Sequence, residues 1–482
     1  MNSEPNQQPD GLPDGFELRN DGIFLLPDSD SDCDTPVWLC SPLKVTAQTF
    51  DSRGSRWGRL ITAKNEAGQI HEFVMSAKDI SKVAKLVDEL HDRGLHIDGD
   101  KANRSAVSNM LMNWKPTETV LLTEKVGWAD DTYKTFLLAD GSAVGRQKAI
   151  YLPILPLFSL KNVLKRGSLD TWKDTVARRA DGNSVLIAAI SLAFAGPLLR
   201  IIGRNGFGIH FKGKSSTGKT TALIAATSVW GGSDLMQTWR TTSNALEGMA
   251  ASANDMFLPL DELGEAKAVD ASDACYLLAN GQAKNRARPQ GCTGMASTWK
   301  TVVLSTGEIS VAEKLAEANI KQMEGQIVRM MDLKADGQAY GIFDNLHGAS
   351  DAASFAKEVN ESATQACGFS GPAFVEKLTE FSGDIHIFLK RNVKQYTTLI
   401  LKGVDISEIP FAPRVAEQFA IVALAGEMAT RFGLTGWKDF TAIGAASEMF
   451  KIWIIGQHNP LSESEILRRI QEAVAMHDAR LQ

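Results

Sequence analysis

The sequence predicts an α/β protein: a parallel sheet with helices on both faces, preceded by a small α+β region and followed by an all-helical one. Three observations lead there. Between about residues 208 and 333, apolar runs of strand length alternate with runs of helix length, the order that yields crossover connections and a doubly covered sheet. A junction rich in glycine and hydroxyl residues, "KGKSSTGKTT", separates the first of these strands from its helix. After about Gly341 the strand patterns stop and only helical spacing continues.

The elements follow in order. Residues 1–14 are polar and acidic, without the charged-then-apolar pattern of a signal peptide, and read as a flexible start. Residues 15–160 read as a mostly β accessory region with one helix, Ser76 to Gly94, which opens on a possible cap and ends at glycine. Residues 161–345 hold the sheet. Its strands are Gly208 to Lys212, Leu235 to Trp239, "MFLPL", "WKTVVLST" and "QIVRMMDL". Residues 346–482 read as a helical lid. "VLIAAISLAFAGPLL", Val185 to Leu199, is shorter than a bilayer requires and carries Gly196 and Pro197, so a buried helix and no membrane partner are expected.

Composition narrows the function classes. The 482 residues are 44% hydrophobic and 22% charged with a net charge of −6, so any nucleic-acid site must be a local basic patch on an acidic background. The five cysteines, Cys33, Cys40, Cys275, Cys292 and Cys367, show no metal-type pairing and an odd total, which points to a reducing cytoplasm.

Gly213, Lys214, Ser215, Ser216, Thr217, Gly218, Lys219 and Thr220 fit G-x-x-x-x-G-K-[ST] at every fixed position, with Thr221 continuing into the helix. Glycines there let backbone N–H groups curl around a phosphate while the helix aims its positive end at it. Lys219 would reach the β- and γ-phosphates of ATP, and the Thr220 hydroxyl would ligate Mg²⁺. About forty residues on, the strand "MFLPL" ends in Asp261 and Glu262. Asp261 would join the Mg²⁺ shell and Glu262 would polarise the attacking water. Pro259 inside that strand removes one ladder donor and leaves its pairing open.

The next strand ends in Ser305 and Thr306, either of which could contact the γ-phosphate, Thr306 being slightly favoured; hydroxyls here can equally cap the following helix. Arg329 opens the last strand. It could be a solvated rim residue, or in a ring of subunits it could stabilise transition-state charge at the neighbour's nucleotide.

A P-loop, a strand-final acidic pair, a polar strand end and a later arginine resemble the order of an AAA+ ATPase. "GNSVLIAAISLAFAGPLL", "IHFKGKSSTGKTTAL", "TSNALEG", "LPLDELGEA", "YLLANGQAKNRA", "VVLSTGE" and "RVAEQFAIVALAGEMA" further resemble a bacterial family from prophages, plasmids and integrative elements, described as helicases and their inactivated derivatives. That family is similar to minichromosome-maintenance replicative helicases, which are hexameric rings around DNA. The resemblance implies ATP and Mg²⁺ as cofactors, DNA and further copies of the chain as partners, and a separate primase or initiator protein. It also implies a sensor role for Arg414 at the start of a lid helix, where an ordinary helix-start charge is the alternative.

Ring helicases of this kind project a hairpin into their channel between the acidic-pair strand and the sensor strand. At that point lie Lys284, Arg286 and Arg288 with no acid among them, suited to phosphates tracked without base reading; a solvated loop is the alternative. Two functions stay open. One is a hexameric ATP-driven DNA helicase of a mobile element. The other is an ATPase that remodels a protein partner or binds DNA without unwinding it.

Overall fold

A computed structural model describes residues 8–27, 35–123, 125–145, 148–151, 165–283 and 298–458. The chain divides into two compact units, one of residues 1–124 and 145–154, the other of residues 125–144 and 155–482.

The first unit contains β1 (Phe16–Arg19), β2 (Gly22–Leu25), β3 (Val37–Cys40), β4 (Leu43–Asp51), β5 (Gly58–Lys64), β6 (Ile70–Ser76), α1 (Ala77–Ile80), α2 (Val83–His91), α3 (Lys101–Asn113) and β7 (Thr119–Thr123). The strands β1-β2-β3 make one antiparallel sheet. A second sheet runs β11-β7-β4-β5-β6, where β11 (Ala149–Tyr151) and β7 lie parallel to β4 and the rest is an antiparallel meander. Along the first half of β4, buried and outward residues alternate, the period of a sheet with one covered face. Ile23, Leu39, Val45, Ile61, Leu86, Leu90, Leu111 and Trp114 form the core.

The helix expected over Ser76 to Gly94 is broken at Ser81 and Lys82. Ser76 caps α1 and the Ser81 hydroxyl bonds the Lys78 carbonyl, a local bond that competes with the helical ladder. The separate helix α3 is an addition to the expected elements. It begins at Asp100, whose carboxylate accepts from the amides of Ala102 and Asn103.

The second unit opens with β8 (Gly127–Trp128), β9 (Thr135–Leu137) and β10 (Ala143–Gly145), then α4 (Leu169–Trp172) and the long α5 (Ser184–Ile202). The central elements are β12 (Phe207–Lys212), α6 (Lys219–Thr227), β13 (Gln237–Thr238), α7 (Ser243–Ser252), β14 (Phe257–Asp261), α8 (Ala268–Asn280), β15 (Val302–Gly307), α9 (Val311–Ala316), α10 (Glu324–Arg329) and β16 (Met330–Lys334). The sheet order is β13-β14-β15-β12-β16, every pair parallel. The helices α11 (Ala352–Gln365), α12 (Ser370–Thr379), α13 (Ile385–Leu401), α14 (Ala412–Arg431) and α15 (Thr441–His458) follow.

The interior strands are apolar and buried almost throughout, as a sheet covered on both faces requires. The helix α5 supplies much of that cover, and it packs against α6, α14 and α15. By length and composition it could cross a membrane, but 94% of its apolar window is buried within this protein. Pro197 has no N–H to give the Ala193 carbonyl one turn back, and the Trp230 indole N–H donates to that carbonyl at 2.7 Å. At Gly196 a Cβ would collide with the Met256 carbonyl, so only glycine lets α5 lie this close to the start of β14.

Candidate functional site

The chain reverses its direction of spread across the sheet at β12: its neighbours are β15 and β16, while the connection through α6 leads outward to β13 at the edge. Ligands of open parallel sheets bind at the carboxyl ends of the strands at such a switch point. There β12 passes into the loop Gly213 to Gly218, and α6 begins at Lys219.

The loop is held by its surroundings. The amide of Gly213 donates to the Gly307 carbonyl at 3.2 Å, that of Lys214 to Asp336 Oδ2 at 2.8 Å, and that of Ile342 to the Thr217 carbonyl at 3.0 Å. Gly218 takes φ = +99°, and a Cβ there would lie 2.6 Å from the Phe343 ring. Ser216 is also left-handed at +61°. Lys219 is buried, and its ammonium donates to the carbonyls of Gly213 at 2.8 Å and Lys214 at 2.6 Å, which keeps the loop curled around the start of α6. Thr220 faces solvent, and Thr221 is buried behind it.

The register brings the acidic strand end level with this loop. Phe211 pairs with Thr306, and Ser305 pairs with Leu260, so Thr306 and Asp261 are side by side next to the end of β12. The Thr306 hydroxyl donates to Asp261 Oδ1, which also accepts the Glu262 amide at 3.1 Å. Glu262 has φ = +56° and ψ = 74°, a strained geometry for a non-glycine residue, and its Oε1 accepts the Gly264 amide at 3.3 Å.

Ser305 faces the opposite side of the sheet from Thr306, as successive strand residues do. Its hydroxyl lies 2.8 Å from His210 Nδ1 and accepts the Trp239 indole N–H at 2.8 Å. His210 Nε2 is 2.9 Å from the Ile309 carbonyl, which can only accept, so Nε2 carries the proton and Ser305 donates to Nδ1. Burial pushes the His210 pKa down to about 4, so the ring is neutral. Trp239 reaches Asp261 as well, its amide donating to the Asp261 carbonyl at 3.1 Å. His210, Trp239 and Asp336 are not among the residues that motif and spacing single out. A histidine inside a fully apolar strand is the one signal that could have drawn attention to the first.

Two expected residues are elsewhere. Arg329 ends α10, with its guanidinium bonded to Asn280 Oδ1 at 3.1 Å and the Gly325 carbonyl at 2.8 Å and lying over the Tyr276 ring. Met330 pairs with Gly208 while Lys334 pairs with Lys212, so Arg329 is at the other end of the sheet from the loop. Arg414 is exposed in the first turn of α14. Gln418, one turn on, donates to the Val328 carbonyl at 3.0 Å, and Glu417 pairs with Arg204, so Arg414 is also at that end. Lys284, Arg286 and Arg288 lie outside the described residues. On either side of them Gln282 and Thr298 form an antiparallel bridge.

No cluster of three or more acidic, histidine or cysteine ligands occurs among the described residues. Magnesium asks for less, because it keeps several waters and is bound through one or two carboxylates together with phosphate oxygens. Thr220 and Asp261 fit that role, and the curled loop at the start of α6 fits a polyphosphate.

Loop, acidic strand end and parallel sheet define an α/β protein whose candidate site lies at the switch point of its sheet. The chain belongs to the DUF927 family, a domain of unknown function, which matches residues 16–297, more than half its length. No functionally curated protein matches it. Its fold is similar to that of a solved structure described as "SCCmec type IV Cch - active helicase", with a TM-score of 0.66 and 18% identity over 96% of this chain and 82% of that one.

Proposed function

We propose that this chain is an ATP-driven DNA helicase or translocase, a motor of the AAA+ type that works as a ring, similar to minichromosome-maintenance helicases, in the replication of a mobile element. The observation that carries the reading is the hydroxyl bridge from Thr306 to Asp261 beside the curled loop that holds Lys219. Curled loop, carboxylate and polar strand end thus meet at three adjacent strand termini, the set that an anion cradle with a metal carboxylate requires. The similar fold of a protein described as an active helicase supports the coupling to DNA.

When bound, ATP with Mg²⁺ supplies the scissile phosphoanhydride and the charge that polarises it. The chain does the rest. Lys219 and the loop amides would bind and orient the phosphates, Thr220 and Asp261 would hold the metal side, and Glu262 would take a proton from the attacking water. Thr306 fixes the Asp261 carboxylate, and Ser305 is held inside the sheet by His210 and Trp239. Arg329 and Arg414, at the far sheet end of their own chain, are suited to a neighbouring copy's nucleotide. In this reading residues 15–160 serve assembly or DNA binding, 161–345 hydrolysis and 346–482 the lid, with Lys284, Arg286 and Arg288 tracking phosphates.

The test compares ATP hydrolysis with and without single-stranded DNA, beside strand separation of a forked duplex at low salt. DNA-stimulated turnover with unwinding is expected. Hydrolysis indifferent to DNA and without unwinding would leave an ATPase that remodels a protein partner.

A further inference from the structure

A groove of about 490 Å³ lies between α13 and the first turn of α14, away from the P-loop. Lys390, Lys394, Thr397 and Thr398 line one side, and Arg204 and Glu417 line the other. The spacing of the first four, i, i+4, i+7 and i+8, sets them along one helix face for about 12 Å at 1.5 Å per residue.

Its charge is lopsided. From Ile385 to Val404 the sequence has no aspartate or glutamate, although the whole chain has 57. Glu417 is engaged by Arg204, while Lys390 and Lys394 have no ion-pair partner among the described residues. Two lysines without counter-charges therefore line one open groove in a protein of net charge −6, while the Thr397 and Thr398 hydroxyls donate to the Val393 and Lys394 carbonyls of their own helix.

The position has a bearing on the partner. Lys300 Nζ donates to the Arg204 carbonyl at 2.8 Å, and Lys300 is two residues from Thr298, whose bridge to Gln282 closes the base of the insertion between α8 and β15. The groove thus opens beside that base. A free triphosphate is gripped by converging backbone amides, and here Pro413 removes a donor from the first turn of α14. Side-chain cations along a face suit an extended chain of phosphates.

We propose that this groove binds the sugar–phosphate backbone of single-stranded DNA, Lys390 and Lys394 each neutralising one phosphate. The proposal deepens the helicase reading and rests on it.

The test uses the full chain and fluorescently labelled oligo(dT), with anisotropy titrations across a range of salt. Two double variants are compared with wild type: Lys390→Gln with Lys394→Gln, and Lys390→Glu with Lys394→Glu. All four substitutions are at exposed positions, and retained DNA-free ATPase activity and melting temperature report the fold. The glutamine pair should weaken binding about tenfold at low salt and flatten the dependence of log affinity on log salt by about 1.4, near 0.7 for each single-strand phosphate no longer neutralised. The glutamate pair should weaken it further. Wild-type affinity and slope in both variants, with wild-type binding intact, would overturn the groove alone. Loss of labelled-ATP binding with DNA binding unchanged would assign the groove to nucleotide instead and overturn it too. A wild type that binds no oligo(dT) would overturn the groove and the helicase reading together.

Discussion

Lys219 is buried, with its ammonium bonded to two carbonyls of the loop it follows. Lys219→Ala removes both bonds and the charge, so nucleotide affinity should fall by about two orders of magnitude or more, read by titration with a labelled ATP analogue. Glu262→Gln keeps the shape and loses the base. Binding should persist while turnover drops about 10²- to 10⁴-fold, and full turnover in that variant would remove Glu262 from its role. His210 gives a pH signature. Its folded pKa near 4 lies below the ordinary 6.5, so its contribution to stability is complete above about pH 6.5 and is lost as the pH falls towards 4. Melting curves over that window should show stability falling more steeply in the wild type than in His210→Gln, by up to about 1.4 kcal/mol per pH unit. The loop and the acidic pair were legible because their chemistry is written in consecutive residues. The His210–Ser305–Trp239 network was not: its members are 95 and 66 positions apart and meet only through strand register.

At the scale of elements, periodicity located the five strands of the parallel sheet, since buried parallel strands are nearly unbroken apolar runs, but the run "QIVRMMDL" divides: Gln326 to Arg329 end α10 and the strand starts only at Met330. It missed the break between α1 and α2, where side-chain bonds of serine decide the local course. Pro259 looked awkward inside a strand. The structure shows that β13 reaches only Leu260 and Asp261 of β14, so the proline stands where no second neighbour pairs. The other proline, in α5, depends on a partner no local pattern reveals. Trp230→Phe would keep an aromatic side chain but lose part of the buried indole together with the N–H that satisfies the Ala193 carbonyl. Leaving that carbonyl unsatisfied in the core should cost about 1–3 kcal/mol, measurable by denaturant unfolding.

In the proposed ring the molecule as a whole would act through copies of itself. Arg329 lies a full strand length from the loop of its own chain, so its contribution to hydrolysis must come in trans if it comes at all. Arg329→Ala doped into wild type should depress ATPase activity more than in proportion to its fraction, and a strictly proportional loss would remove the arginine from the reaction. Length and composition do not reveal the interleaving of the two units, because the return of β11 to the sheet of β7 is a pairing between remote segments. That return also restricts how the gene can be cut. A polypeptide severed once after Glu124 yields an N-terminal fragment without β11, and one severed once after Ile154 yields a C-terminal fragment without β8 and β9. The two units are therefore poor candidates for separate expression or for exchange by a single recombination event.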